Sequence, residues 1–138
     1  MLRMSYMPSD FHPVLLILGQ KAELMTLADA FDGFSKQGGS LDLNAAGILS
    51  TDTKVTLEEW TEGMTEKVGL WPVSRGQSDL IWRLPKRFAW IFANEVANLG
   101  SSPDVAGSAT LECEVFGEIR AKVSIGEWEE GYLSDAFR

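Results

Sequence analysis

Lys54–Met64, with the sequence KVTLEEWTEGM, recurs as Lys122–Tyr132, with the sequence KVSIGEWEEGY. The second copy begins 68 residues after the first (122 − 54 = 68), and six of the eleven positions are identical. Thr56 and Ser124, at the third position of each copy, are close substitutes. Similarity at a fixed internal spacing is typical of a duplicated structural unit. The stretch therefore predicts a chain built from two tandem copies of one unit.

The same spacing aligns a helical pattern that lies outside this stretch. Three apolar residues with helical spacing fall on three others, namely Leu24, Ala28 and Phe31 on Phe92, Val96 and Leu99. Repeat one then covers about residues 1–69 and repeat two about residues 70–138. A length of 138 residues suits a single domain that contains both repeats.

Each unit is predicted to contain a strand, a helix and a hairpin. Leu80–Leu84 alternates apolar and polar side chains, which indicates a strand, and Pro85 suits the start of the following helix. Val14–Leu18 is continuously apolar, and periodicity leaves open whether it is a buried strand or the start of a long helix. Two tandem βαββ units predict an α+β fold in which both repeats share one antiparallel sheet. We expect the helices on one face of that sheet and a pseudo-twofold axis between the halves.

The hairpin of the second unit has a predicted register that polarity and charge both favour. Apolar and polar residues alternate on either side of a three-residue loop at 116–118. This loop places Glu114 opposite Arg120 and Glu112 opposite Lys122, and each opposite-charge pair contributes roughly 0.2–1 kcal/mol. The same construction in the first unit pairs Leu43 with Val55 and Asn44 with Lys54.

Both copies of the repeated stretch fit the start of a helix. Thr56 with Glu59, and Ser124 with Glu127, have the spacing of a capping box, in which a hydroxyl and a carboxylate satisfy free backbone N–H groups. We therefore expect a short helix at each place. Continuation of the strand is the alternative.

The composition argues against several classes of function. Twelve basic residues against twenty acidic ones give a net charge of -8, which repels phosphate backbones, so we expect no nucleic-acid partner. A single cysteine, Cys113, and a single histidine, His12, leave no intrachain disulfide and no Cys/His metal cluster. No cofactor motif is present. The apolar run at 14–18 is too short for a membrane span or a signal core, which predicts a soluble cytoplasmic protein without membrane contact.

Three residues are candidates for catalysis. The repeat places Glu59 and Glu127 symmetrically, and two such carboxylates could act as an acid/base pair, with or without a metal ion. His12 is a possible general base, but no nucleophile or acid lies at a motif spacing from it. Because the two glutamates also fit capping boxes, we favour the structural interpretation and a protein without catalysis.

The function predicted from the sequence is that of a small binding or interaction protein. Its site would lie on the polar face of the sheet or in the cleft between repeats. The candidates for ligand contact are Trp60, Trp128, Lys54 and Lys122. An enzyme that uses Glu59 and Glu127 is one alternative, and an acidic protein that neutralises a basic protein partner is another. A homodimer is also predicted, through a small-residue helix face formed by Ala89, Trp90, Ala93 and Ala97.

Overall fold

The structure, a computed structural model, describes residues 2–7, 13–50, 53–74, 79–104 and 106–125. Two helices and nine strands lie within these ranges. In chain order they are β1 (Leu2–Met7), β2 (Val14–Leu18), α1 (Lys21–Gln37), β3 (Ser40–Asp42), β4 (Leu49–Ser50), β5 (Val55–Glu59), β6 (Gly69–Pro72), β7 (Leu80–Leu84), α2 (Lys86–Ser101), β8 (Gly107–Leu111) and β9 (Arg120–Ile125). The predicted α+β class is confirmed. Val14–Leu18, left open by the sequence, is a strand.

The strands form two sheets rather than the one antiparallel sheet predicted. The first has the order β4-β1-β2-β9-β8, and the second has the order β3-β5-β7-β6. Both are mixed, because β2 runs parallel to β9 and β5 runs parallel to β7, whereas the β1–β2, β8–β9, β3–β5 and β6–β7 pairs are antiparallel. Both helices share one hydrophobic core with strands of both sheets. The expectation of helices on one face of a common sheet is therefore replaced by two sheets around a shared core.

Each sheet contains strands from both halves of the chain. The first half supplies β1, β2 and β4 to the five-stranded sheet and β3 and β5 to the four-stranded sheet. The second half supplies β8 and β9 to the five-stranded sheet and β6 and β7 to the four-stranded sheet. Within the sheets, the halves meet at the two parallel pairs, β2–β9 and β5–β7. This exchange is compatible with the tandem repeat and its pseudo-twofold axis, which stay predictions. It also adds a strand, β1 or β6, before each predicted βαββ unit.

A cluster of aromatic side chains occupies the core between the helices and the four-stranded sheet. The ring centroid of Phe31 in α1 lies 5.4 Å from that of Trp82 in β7 and 5.7 Å from that of Phe92 in α2. Both contacts have the edge-to-face geometry that aromatic quadrupoles favour. All three side chains are buried. This cluster joins the first half of the chain to the second.

The helices α1 and α2 pack against each other in an antiparallel arrangement. Near the start of α1, Met25 lies against Gly100 near the end of α2, where an added Cβ would come within 2.9 Å of the Met25 sulfur. Lys21 donates a hydrogen bond from its ammonium to the backbone carbonyl of Ser102. No helix in the described ranges is long and apolar enough to cross a membrane.

The register prediction is correct for the first hairpin and wrong by two residues for the second. Leu43 donates its backbone N–H to Val55 at 3.0 Å, as predicted. In the second hairpin Thr110, rather than Glu112, lies opposite Lys122. Glu114 has a φ of 60°, which leaves the strand conformation and lengthens the loop between β8 and β9.

The predicted charge pairs of this hairpin change with the register. Arg120 pairs with Glu112 instead of Glu114, at 2.9 Å between Nε and Oε2. The two-residue shift preserves which side chains face the core, because the side-chain period of a strand is two. The predicted register of the second hairpin is therefore wrong by two residues, but the predicted division of its side chains between the two faces is correct.

The predicted helix at the first capping box is also wrong, because Thr56 and Glu59 lie in strand β5. This strand is paired on both sides, with β3 and with β7, so its backbone groups are already satisfied in the ladders. The second capping box includes Glu127, which lies outside the described residues.

Candidate binding site between α2 and β8

A cavity of about 280 Å³ lies between α2 and the end of β8 with the loop that follows. Its lining residues are Phe88, Ile91, Phe92 and Glu95 from the helix, and Thr110, Glu112, Cys113 and Glu114 from the strand and loop. We call this cavity the α2–β8 pocket. None of the residues singled out from sequence as functional candidates lines it.

The helix supplies the apolar part of the pocket. Phe88, Ile91, Phe92 and Glu95 follow the i, i+3, i+4, i+7 pattern and so project from one side of α2. Phe92 is buried, and Phe88 packs on it with 6.3 Å between ring centroids. Ile91 is partly exposed. The pocket therefore has an aromatic and aliphatic floor.

Three glutamates give the pocket its charge. Partial burial raises the pKa of Glu95 above the ordinary value of a glutamate, although much of its side chain is exposed. Glu112 pairs with Arg120, and Glu114 is exposed. Glu114 is also the one non-glycine residue with a positive φ among those the structure describes. A residue in this region costs about 1–3 kcal/mol, and such strain occurs preferentially at ligand sites.

Cys113 contributes apolar surface rather than a nucleophile. Its side chain is 9% exposed. Burial, with the nearby charges of Glu118 and Glu112, raises the pKa of the thiol to about 12. Because the thiolate is the reactive form, this thiol is inert at neutral pH.

Glu118 is a buried carboxylate that sequence reasoning missed. It is 6% exposed, and its Oε1 accepts the backbone N–H of Val115 at 3.1 Å. Its Oε2 has no hydrogen-bond partner among the described residues. Burial raises the pKa of this carboxyl, and the backbone N–H groups of the loop lower it in part. A charged residue beside a loop glycine is normally exposed, so the sequence contains no pattern that would have identified it.

Glu118 also explains why Gly69 is a glycine. A Cβ at this position would lie 2.3 Å from the Glu118 Oε2, and the backbone has a φ of 108°, which side chains rarely adopt. The carboxylate thus packs directly on the backbone at the start of β6. It fixes the loop that carries one wall of the α2–β8 pocket.

The predicted catalytic residue Glu59 has a structural contact. Its Oε1 accepts the backbone N–H of Gly39 at 3.1 Å, just after the end of α1. Trp60 donates its indole N–H to the carbonyl of Glu66 at 2.8 Å, which closes the turn after β5. The Glu59 carboxylate thus links β5 to the end of α1, and the Trp60 indole stabilises the turn that follows β5.

The predicted ligand-contact lysines lie on different sheets. Lys54 forms an ion pair with Asp42 at 3.4 Å beside the four-stranded sheet. Lys122 lies in β9 of the five-stranded sheet, between Leu16 and Thr110. The structure does not bring these two lysines together. The remaining candidates, His12, Glu127 and Trp128, lie outside the described residues.

The helix face predicted for a homodimer is mostly internal. Ala89 and Ala93 are buried in the core of the chain, and Ala97 packs against that core. Trp90 alone remains on the surface, with 58% of its side chain exposed. The small residues allow α2 to approach its neighbours within the chain, so they offer little surface to a second copy.

The outer face of the four-stranded sheet is mixed in character rather than polar throughout. Thr56, Glu58, Ile81, Arg83 and Trp71 lie on this face, opposite the core residues of the same strands. The Trp71 side chain is fixed by a hydrogen bond within the chain, because its indole N–H donates to the carbonyl of Val68 at 3.0 Å. The face mixes one aromatic, one aliphatic and both signs of charge.

Across the described ranges, no group of three or more His, Cys, Asp or Glu side chains is placed to hold a metal ion. Comparison of the chain with protein-family models, with curated proteins and with solved structures finds no match. The function must therefore be inferred from the geometry of the chain itself.

Proposed function

We propose that this chain is a non-catalytic binding protein that receives a cationic group of its partner in the α2–β8 pocket. The observation that carries the proposal is the combination of an aromatic and aliphatic floor with glutamates at the same opening. A lysine or arginine side chain suits this combination, because its apolar stem can pack on the apolar residues while its charged end lies near the glutamates. The proposal combines two functions predicted from the sequence, that of a small binding protein and that of an acidic protein with a basic partner.

The electrostatics of the chain support a basic partner. The net charge of -8 attracts cations over a long range, and Glu95 and Glu114 of the pocket direct that attraction to one place, whereas Glu112 is already paired with Arg120. Complementary charge of this kind increases association rates and excludes partners of the wrong sign. The ring of Phe88 already takes part in a cation–π contact, because the guanidinium carbon of Arg87 lies 5.4 Å from its centroid.

The pocket is preferred over the other two predicted locations. It lies between elements of the second half of the chain, not in a cleft between repeats. The outer face of the four-stranded sheet carries both signs of charge, so it does not select one class of ligand. The contacts of Glu59 and Trp60 with the chain itself support a protein without catalysis at that corner.

Binding of n-butylammonium tests the proposal, with isothermal titration calorimetry as the measurement. We expect a dissociation constant of about 1 mM, equivalent to about 4 kcal/mol, which is reasonable for five heavy atoms. Glu95→Gln/Glu114→Gln should weaken binding about tenfold, the equivalent of ~1.4 kcal/mol from two lost charges. Glu62→Gln, which removes an exposed charge elsewhere, should have no effect.

n-Butanol serves as the uncharged probe of the same shape. The proposal predicts that it binds more weakly than n-butylammonium by at least tenfold. Equal affinity for the two compounds, or unchanged affinity in the double variant, would show that the glutamates do not recognise a cation and would overturn the proposal.

A further inference from the structure

We propose that the partner binds as an extended segment that adds a strand to the free edge of β8, with one basic side chain in the α2–β8 pocket. This inference rests on the proposed function and specifies the class of partner. The ligand is a protein segment in the β conformation, recognised by its backbone as well as by its charge. Strand addition to a sheet edge, with a pocket for one side chain, is an established mode of peptide recognition.

The edge of β8 is the least protected of the four sheet edges in the described part of the chain. The other edges are β4 with two residues, β3 with three residues including Asp42, and β6 with four residues ending at Pro72. Short length, charge and proline are the devices by which proteins prevent edge pairing. β8 has five residues, GSATL, with no charge and no proline.

The backbone of β8 has groups available for pairing. Among the described residues β8 pairs with β9 alone, through an antiparallel ladder from Gly107 to Leu111. In such a ladder every second residue directs its N–H and C=O away from the partner strand. An incoming strand would satisfy these groups, and its affinity would come largely from main-chain hydrogen bonds.

The α2–β8 pocket reaches this same edge. Leu111 is buried in the core that α2 also covers, whereas the neighbouring side chain of Thr110 points to the opposite face of the strand and is exposed. Both Thr110 and the helix residue Phe88 line the pocket. Contact of the cavity with both α2 and Thr110 places it beside β8, and the edge open among the described residues is the side of β8 that faces away from β9. A side chain of an added strand would therefore lie next to the pocket.

Charge decides which segment fits. The added strand would present a side chain close to Glu95 and Glu114, and a lysine or arginine there meets opposite charge beside the apolar residues of α2. Uncharged residues with high β propensity suit the flanking positions, because they extend the backbone along β8.

The experiment uses the peptide acetyl-Thr-Val-Lys-Val-Thr-amide and five versions of it, each with one N-methylated backbone amide. Methylation removes a donor and blocks edge pairing at that residue alone. We expect affinity to fall at least tenfold at alternate positions and to change little at the positions between them. Replacement of the lysine by norleucine should weaken binding by a similar factor.

Amide hydrogen exchange of the full chain provides an independent readout. On addition of the parent peptide, the outward-facing amides of β8 should exchange at least tenfold more slowly, in an every-second-residue pattern across 107–111. This readout does not depend on any substitution in the protein.

The outcomes separate this inference from the proposed function. If n-butylammonium binds but N-methylation has no alternating effect and exchange in β8 is unchanged, the pocket takes a cation and strand addition is refuted. If the peptide binds with the alternating pattern but the norleucine version binds equally well, the edge is used and the charge recognition is refuted. If neither compound binds, both proposals fail.

Discussion

Glu118 shows how a single side chain can hold the wall of a pocket at a cost in stability. Its carboxylate is buried, one oxygen accepts the Val115 N–H, and the other has no hydrogen-bond partner in the described part of the chain. Because burial raises its pKa in the folded state, the ionised form is less stable in the folded chain than in the unfolded chain. The folded state thus binds a proton more readily than the unfolded state does.

This difference predicts how stability depends on pH. The contribution of Glu118 is most favourable below the unfolded pKa of a glutamate, about 4.3, and is lost as the pH rises through the higher folded pKa. Glu118→Gln removes the titration, so we expect its melting temperature to exceed that of the wild type at pH 7. The gain should shrink as the pH falls below about 4, in thermal unfolding followed by circular dichroism.

Glu62→Gln is the matched control, because Glu62 is exposed and lies outside the loop. It should show no comparable pH-dependent difference from the wild type. A Glu118→Gln variant that is less stable than the wild type at pH 7, with a deficit that disappears at low pH, would mean that the charge of this carboxylate stabilises the loop and would contradict the prediction.

At the scale of elements, local patterns predicted the helices and the faces of the strands. The apolar stripe of Leu24, Ala28 and Phe31 lies in α1, and that of Phe92, Val96 and Leu99 lies in α2. The two-residue shift of the second hairpin preserves the predicted faces of its strands. Pairing between distant strands carries no such local signal. The parallel contacts of β2 with β9 and of β5 with β7 join residues far apart in sequence, so the sequence could not show that two sheets form.

The candidate site was missed for a related reason. Phe88, Ile91 and Phe92 are visible in the sequence as part of a helical stripe, which predicts core packing. Whether such a stripe is fully covered depends on the distance between the helix and its neighbours. Glu114, whose positive φ ends the strand pattern and shifts the register of β9, has an ordinary sequence context that indicates neither the turn nor the cavity.

At the scale of the whole molecule, the exchange of strands makes the two halves depend on each other. Each sheet is completed at its centre by a parallel pair with one strand from either half. In an isolated half, the inner edges of β2 and β5, or of β7 and β9, would lose their partners. The buried apolar residues of these strands, such as Leu15–Leu18, would also lose their cover.

We therefore expect fragments 1–68 and 69–138 to be unfolded when each is alone and to fold when they are mixed. Near-ultraviolet circular dichroism reports the packing of Trp82 against Phe31, which come from different halves. The signal should appear only in the mixture. A cooperative thermal transition in either fragment alone would show that one half is self-sufficient and would contradict the interdependence of the sheets.

The central claim concerns the location of cation binding, and an amide chemical-shift titration with n-butylammonium chloride tests it most directly. Cation binding in the α2–β8 pocket should cause saturable shifts at the amides of the pocket walls, above all Glu95, Thr110 and Cys113, with a midpoint of about 1 mM. Sodium chloride at the same concentrations is the control for ionic strength, and the amides of Lys54 and Trp60 should follow that control. Saturable shifts centred on the outer face of the four-stranded sheet, or shifts identical to those in sodium chloride, would show that the pocket does not bind the cation.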